Sequence, residues 1–336
     1  MNKEILVLSG GGTKGIAFIG ALQYLENENI LKHIKTYVGT SIGSLICLLC
    51  CLNYSLNEIM DLINKLDFKK VIDISLDTIL DFPKTFGIDT GETFTKFIKI
   101  LIKKKVKNEN ITFIELFNIS NLHLSVTGTC LNSCNTEFYD HIKTPDMEVY
   151  KAIRISTCFP FYFKSYEYNG KLYTDGGVSN HYPISTFPSS KTIGILLCDT
   201  TYDSLDKIDD LLTFINCIFQ SSFKNIQEYI LNNYKENTIF IDINDSSMNF
   251  SMDKEHKGKI FNIGYEAAKD YFINHDNYYR IKDVGVNTNI SNPDNIEKKD
   301  VATSTEDLYT SYIEYEIDYE INKHIENDLE NYLYET

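Results

Sequence analysis

Positive charge is scarce in this sequence: 32 Lys and Arg stand against 47 Asp and Glu among 336 residues, a formal net charge of −15. A duplex binder needs a basic face to displace counterions from phosphates, so the balance argues against nucleic acid as a partner. The deficit is uneven. Val284–Thr336 carries 13 acidic and 3 basic residues, a net of −10, which leaves −5 for residues 1–283. A negatively charged membrane surface therefore stays open as a partner for the body. Metal-binding and redox spacings are also missing. The eight cysteines include the adjacent pair Cys50-Cys51 but form no CxxC and no nearby histidine pattern, and Cys47, Cys50, Cys51, Cys198 and Cys217 lie in apolar runs. Buried free thiols in a reducing compartment are expected, with a lipidated or redox-active cysteine as the alternative.

The N-terminus lacks a basic stretch followed by an apolar core and a cleavage site, and it reads as a first strand. The longest apolar run, Ile42–Leu52, is interrupted by Gly43 and Ser44 and is too short to span a bilayer. The expectation is a soluble, intracellular protein, cytoplasmic and peripheral to membranes, without signal peptide or transmembrane helix. No internal repeat is visible, and nothing sets an oligomeric state.

What is present is core material, with 43% of residues hydrophobic, and the length fits one large domain with an appendage or two domains. Glu4–Leu8 reads as a buried strand ended by glycines, and residues 13–27 as a helix. Thr36–Val38 reads as a second strand, followed at once by an apolar helix from Ile42 to about Leu52. Strand, helix, strand, helix with short connections implies a parallel sheet covered on both faces, a three-layer α/β/α fold. Helical spacing recurs over Leu56–Leu66, Thr93–Lys105, about Leu205–Tyr234 and Glu255–Phe272. Strands are expected at Leu122–Thr129, Glu137–Tyr139, Lys171–Thr174, Thr192–Leu197 and Thr238–Ile243. The expected domain is 1–283, with a motif-bearing core over about 4–200 and a helical part over about 201–283. From 284 to 305 the composition is that of a linker, and an acidic tail, helical from about 306, completes 284–336.

Chemistry concentrates at the first two strand ends. Leu8-Ser9-Gly10-Gly11-Gly12-Thr13-Lys14-Gly15 joins the first strand to the first helix, where a glycine-rich backbone and free helix N–H groups bind negative charge. Gly10-x-Gly12-x-x-Gly15 fits a dinucleotide fingerprint, but the second strand ends in Val38-Gly39-Thr40-Ser41, without the acid that would hold a ribose. A P-loop needs Gly-Lys-Ser/Thr, and the order here is Thr13-Lys14-Gly15. The third candidate is the oxyanion of an attacked ester, which needs a nucleophile nearby. Gly39-Thr40-Ser41-Ile42-Gly43 supplies the G-x-S-x-G pattern of a nucleophile at a sharp strand-to-helix turn. The competing reading of Ser41 is a plain helix cap. None of the seven histidines sits in a hydrolase-like histidine loop. Asp175-Gly176-Gly177, after the strand Lys171–Thr174, offers a carboxylate as base, or else a simple turn.

Together and in this order these elements resemble the patatin-like phospholipases. That family has a glycine-rich oxyanion loop (here Gly10, Gly11, Gly12, Lys14, Gly15), a serine elbow (Gly39, Ser41, Gly43) and an Asp-Gly-Gly (Asp175, Gly176, Gly177). Asp89-Thr90-Gly91-Glu92, the stretch Ala152–Ser156 leading to Phe159-Pro160, and Gly264–Ala268 are also similar, so the resemblance covers about residues 4–280. It implies a Ser41–Asp175 dyad without a catalytic histidine, an oxyanion hole at Gly10–Gly12, no metal or cofactor, and a glycerophospholipid or other lipid ester as substrate at a membrane surface. Arg154 is expected to support the site structurally. The departures are His181, where relatives usually carry an amide or other residue, read here as a packing or surface residue with substrate contact as the alternative, and Ile155 and Cys158 around Ser156, where small residues are commoner. A triacylglycerol or thioester hydrolase with the same dyad, and a non-catalytic lipid-binding protein, are the alternatives. Lys96–Lys105 mixes apolar and basic residues, and is read either as a surface for anionic lipid or as an ordinary amphipathic helix.

Overall fold

The computed structural model describes residues 3–198, 208, 211–247 and 249–284. Ten strands are described: β1 (Ile5–Leu8), β2 (Thr36–Gly39), β3 (Gly87–Asp89), β4 (His123–Cys130), β5 (Asn135–Tyr139), β6 (Phe161–Phe163), β7 (Tyr166–Tyr168), β8 (Lys171–Asp175), β9 (Thr192–Cys198) and β10 (Thr238–Asp242). The helices are α1 (Ile16–Asn27), α2 (Ile42–Cys51), α3 (Leu56–Lys65), α4 (Leu76–Leu80), α5 (Phe82–Thr85), α6 (Glu92–Val106), α7 (Phe113–Ser120), α8 (Val149–Ser156), α9 (Gly177–Asn180), α10 (Leu211–Tyr234) and α11 (Lys254–Val284). The fold is a mixed α/β arrangement with a central sheet flanked by helices. Strand order is β10-β9-β1-β2-β4-β8-β7, with β5 also on β4. The pairs from β10 to β4 are parallel, whereas β5, β7 and β8 join antiparallel.

Alternation in the strands divides two cores. Leu6, Leu8, Ile193, Ile195 and Leu197 face the larger one, built with α1, α2, α3 and α6. Val7, Val38 and Leu196 face the smaller one with Tyr182, Ile184 and Ile230 of α10. Successive strand residues point to opposite faces, so a sheet covered on both must be apolar at nearly every position. That is why β1 reads as an unbroken aliphatic run.

β4 works as a ruler for the rest. Its first half pairs with β2, placing Gly39 beside Val126, and its second half pairs with β8, placing Asp175 beside Gly128. Residues 41 and 175 are thus brought to neighbouring points at one edge of the sheet by a single strand.

Several elements differ from the sequence reading. Residues 12–15 form a 3-10 turn ahead of α1. α11 runs twelve residues past Phe272; its apolar periodicity fades there, but an established helix propagates cheaply, and no glycine or proline intervenes before Gly285. The short elements β3, β6, β7, α4, α5 and α7 carry too few residues to show a period. The apolar side of Lys96–Lys105 is committed to the core through Phe97, Ile98, Leu101 and Ile102, and Lys105 pairs with Glu58 at 2.8 Å. It is an ordinary amphipathic helix, not a lipid-facing one. The chain divides into units Met1–Lys282 and Asp283–Thr336. The linker and tail expected over 284–336 lie outside the described residues apart from Val284, as does the expected helical stretch 205–207 and 209–210. Among the described residues no helix is long and apolar enough to cross a membrane.

α11 packs on α1 at glycine contacts: a Cβ on Gly20 would lie 1.9 Å from the Phe261 carbonyl oxygen, and one on Gly264 would lie 1.9 Å from that of Ala17. Gly264→Ala should therefore destabilise the protein by about 1–3 kcal/mol through overpacking, although alanine is the better helix former. Urea denaturation checks this; a stabilised variant would refute the close approach.

Candidate active site

The elbow between β2 and α2 holds Ser41 at φ 54°, ψ −128°. A left-handed φ at a non-glycine residue is strained, and such strain persists only where the surroundings over-determine it. Here they do. The chain turns so tightly that a Cβ on Gly39 would lie 2.4 Å from Ser44 Cα, and one on Gly43 would lie 2.4 Å from the Ser9 carbonyl oxygen. The Ser41 N–H donates to Ser156 Oγ at 2.9 Å. Thr40 Oγ1 and Thr127 Oγ1 share a hydrogen bond of 2.8 Å, tying the elbow to β4.

The Ser41 side chain makes no cap to α2. Its Oγ–H donates instead to Asp175 Oδ2 at 2.6 Å. Asp175 Oδ1 accepts from Gly177 N–H at 2.7 Å, so the Asp-Gly-Gly turn orients the carboxylate toward the elbow. Gly176 passes close against Thr127. Asp175 is almost fully buried, and burial pushes its carboxyl up to about 7, against the opposing pull of the Ser41 and Gly177 hydrogen bonds.

The glycine loop lies across the same cavity. The Gly10 N–H is already used, donating to the His181 carbonyl at 3.2 Å. Among the described residues no protein acceptor takes the N–H of Gly11 or Gly12. Of the three expected oxyanion donors, these two are the available ones. Gly15 packs against Ile42. Lys14 is buried and its Nζ donates to the Ile243 carbonyl at 3.0 Å, so it fastens the loop.

The cavity, of about 230 Å³, is lined by one face of α2, Ile42, Leu45, Ile46 and Leu49, and by residues of α3 and Phe97. The i, i+3, i+4, i+7 spacing on α2 makes that face continuous. Among the described residues, the charged side chains in the lining are Lys14 and Asp175.

Arg154 is buried away from this lining. Its Nη2 donates to the carbonyls of Thr90 at 3.1 Å and Lys164 at 3.4 Å, joining the Asp89–Gly91 turn to the β6–β7 connection. Cys158 Sγ also reaches the Lys164 carbonyl, at 3.1 Å. One residue was not given a role from sequence, and another differs in part from its reading. Ser156 orders the elbow; its only signal was a small residue closing the helix α8. His181 is no surface residue: it lines the cavity, stacks on Phe223 with centroids 4.1 Å apart, and has its pKa lowered to about 4, mainly by burial and then by Lys14. The packing half of the expectation fits, and the imidazole is neutral at ordinary pH. Among the described residues no group of three or more His, Cys, Asp or Glu is arranged to hold a metal ion.

Comparison with known proteins adds three findings. A model of the patatin-like phospholipase family matches residues 6–188. An uncharacterized protein, R571, of Acanthamoeba polyphaga mimivirus is 30% identical over 280 residues, covering 80% of this chain and 93% of that protein. A probable lipid hydrolase, 463L, of Invertebrate iridescent virus 6 is 28% identical over 183 residues, 54% of this chain and 62% of that one. In three dimensions the chain is similar to VipD from Legionella pneumophila, with a TM-score of 0.57 at 18% identity, covering 82% of this chain and 67% of that one.

The raised Asp175 pKa carries a stability consequence. The folded state holds this proton more tightly than the unfolded chain, so stability from this group is full below the ordinary carboxylate value of 3.8 and is lost as pH rises to about 7. Relative to Asp175→Asn, the wild-type chain should lose on the order of a few kcal/mol between pH 4 and 7 and run parallel above. Chemical denaturation of both proteins across that range checks it; parallel curves throughout would contradict the buried, raised carboxyl.

Proposed function

The chain belongs to the patatin-like phospholipase family, and from that premise we propose that it is a lipid acyl hydrolase in which Ser41 is the nucleophile and Asp175 the base. The observation that carries this reading is the 2.6 Å hydrogen bond from Ser41 to a buried carboxylate at the wall of an apolar cavity. An ordinary carboxylate is too weak a base for a serine, but one held near 7 is matched to neutral pH. Asp175 takes the Ser41 proton as Oγ attacks the ester carbonyl. The N–H groups of Gly11 and Gly12 and the positive end of α2 stabilise the oxyanion. Asp175 then returns the proton to the departing alkoxide. Water, giving a proton to the same carboxylate, attacks the acyl-enzyme carbonyl; the bond to Ser41 Oγ breaks, Asp175 returns that proton to Oγ, and the fatty acid leaves.

The apolar walls suit an acyl chain and make no provision for a headgroup, so a glycerophospholipid is the substrate proposed from the family, and triacylglycerols and thioesters offer the same acyl group. The partner would be a lipid surface. Leu76, Leu80, Phe86 and Phe161 are 72%, 68%, 53% and 43% exposed, and the rings of Phe82 and Phe161 lie 6.5 Å apart. Phe161 shares β6 with Tyr162 and Phe163, which line the cavity. In this reading these exposed apolar side chains are the rim that meets the lipid, and β6 links them to the cavity wall.

Ser41→Ala should abolish both fluorophosphonate labelling and fatty-acid release from a panel of phospholipids, triacylglycerols and acyl thioesters, and Asp175→Asn should lower kcat by at least about a hundredfold. In the wild type kcat/KM should rise with pH through about 7, because the ionised carboxylate is the active form. A chain that neither labels nor releases fatty acid would instead be a non-catalytic lipid binder. Leu80→Asp with Phe161→Asp should slow hydrolysis of vesicle lipids about tenfold or more, as burial of two such side chains is worth about 1.5–3 kcal/mol each at full insertion. Hydrolysis of a soluble short-chain ester should be unaffected, and equal slowing on both substrates would remove the rim from the proposal.

A further inference from the structure

The glycine loop is fastened by a turn that follows β10, far along the chain and outside residues 6–188. Thr13 N–H donates to the Ser247 carbonyl at 2.9 Å, and Thr13 Oγ1 to the Ser246 carbonyl at 3.3 Å. Lys14 Nζ holds the Ile243 carbonyl. The two segments press so closely that a Cβ on Gly12 would lie 1.9 Å from the Ser247 carbonyl oxygen. Where Gly12 and its neighbour Gly11 point therefore depends on where this turn sits.

Asp245 shapes the turn. Its Oδ1 accepts from Ser246 N–H at 2.7 Å and from Asn249 Nδ2 at 3.2 Å. Its Oδ2 is buried, and among the described residues only His256 reaches it, with Nε2 at 2.8 Å. His256 stands in the first turn of α11, where its own N–H donates to Asp253 Oδ1 at 2.8 Å. A buried carboxylate oxygen without a donor is costly, so the carboxylate keeps the turn within reach of the imidazole, and α11 is anchored in turn on α1 and α3. Lys257, one residue on, donates to the carbonyls of Ile63 and Leu66.

We propose that Asp245 and His256 are positioning residues for the oxyanion loop, a clasp that acts through Ser246, Ser247 and Thr13 to keep the Gly11 and Gly12 N–H groups aimed beside Ser41 Oγ. The inference rests on the hydrolase reading for its catalytic consequence, but not for the clasp itself. Neither residue touches the reacting atoms.

The test uses the full chain, with Asp245→Ala, His256→Ala, the double variant and Asp245→Glu, in two measurements. Backbone hydrogen exchange over residues 10–14 reads the clasp directly, and kcat and KM on a p-nitrophenyl acyl ester read its effect. In both alanine variants, exchange in the loop should accelerate about tenfold while β1 and β2 are unchanged. Their kcat should fall about 10- to 100-fold with KM within about twofold, the range expected when a catalytic group is slightly misplaced. The double variant should be no worse than either single one, and Asp245→Glu should recover part of the loss. Loop exchange equal to wild type overturns the proposal, as does acceleration spread over the whole sheet, or loop-confined acceleration with kcat unchanged. A wild-type chain without Ser41-dependent turnover would defeat the hydrolase reading, and loop exchange alone would then decide for or against the clasp.

Discussion

Ser41 occupies a backbone conformation that an L-residue rarely adopts, and much of the surrounding structure serves to hold it there. Gly39 and Gly43 let the strand and helix close on each other at the elbow, and Ser156 takes up the N–H that the turn exposes. β4 supports the arrangement from beneath, because the same strand that carries β2 also carries β8. Strain at one residue is stable here because a sheet register and a tight turn both fix it.

The buried carboxylate sets a second constraint that opposes the first in energy. Desolvation raises the Asp175 carboxyl toward neutral pH, and the same desolvation disfavours its charge in the folded state. Two hydrogen bonds offset part of that cost, from Ser41 and from Gly177. A third donor would pull the carboxyl further down. The site is therefore tuned by how few partners Asp175 has, and the neutral, stacked His181 beside it adds none.

The family-matched span holds Ser41, Asp175 and the glycine loop, yet the loop's outer side rests on residues well beyond it. Helix α11, the turn at Asp245 and the carbonyls of Ile243, Ser246 and Ser247 form a second frame around Gly10–Lys14. The cavity likewise draws on both parts, since α2 supplies one wall and Phe219 and Phe223 of α10 close another side. Truncation near residue 190 would leave the glycine loop, the elbow and the Asp-Gly-Gly turn in the chain and remove the carbonyls that fasten the loop.

By itself the sequence determined the elements whose physical demands are local. A glycine-rich loop after a strand, a G-x-S-x-G at the next strand end and Asp-Gly-Gly after a later one are written in residues that only such turns require, and the unbroken aliphatic strands announced a sheet covered on both faces. Tertiary structure alone decided the relations between them. That Ser41 caps nothing and reaches Asp175 depends on the register of β4 against two strands far from it in sequence on either side. That the Gly10 N–H is occupied, that the lysines of α6 flank a buried face, and that His181 lies in the cavity wall follow from long-range packing, which no local pattern encodes. The Asp245–His256 pair, eleven residues apart around a turn, carries no motif at all; it has meaning only because the turn lands on the glycine loop.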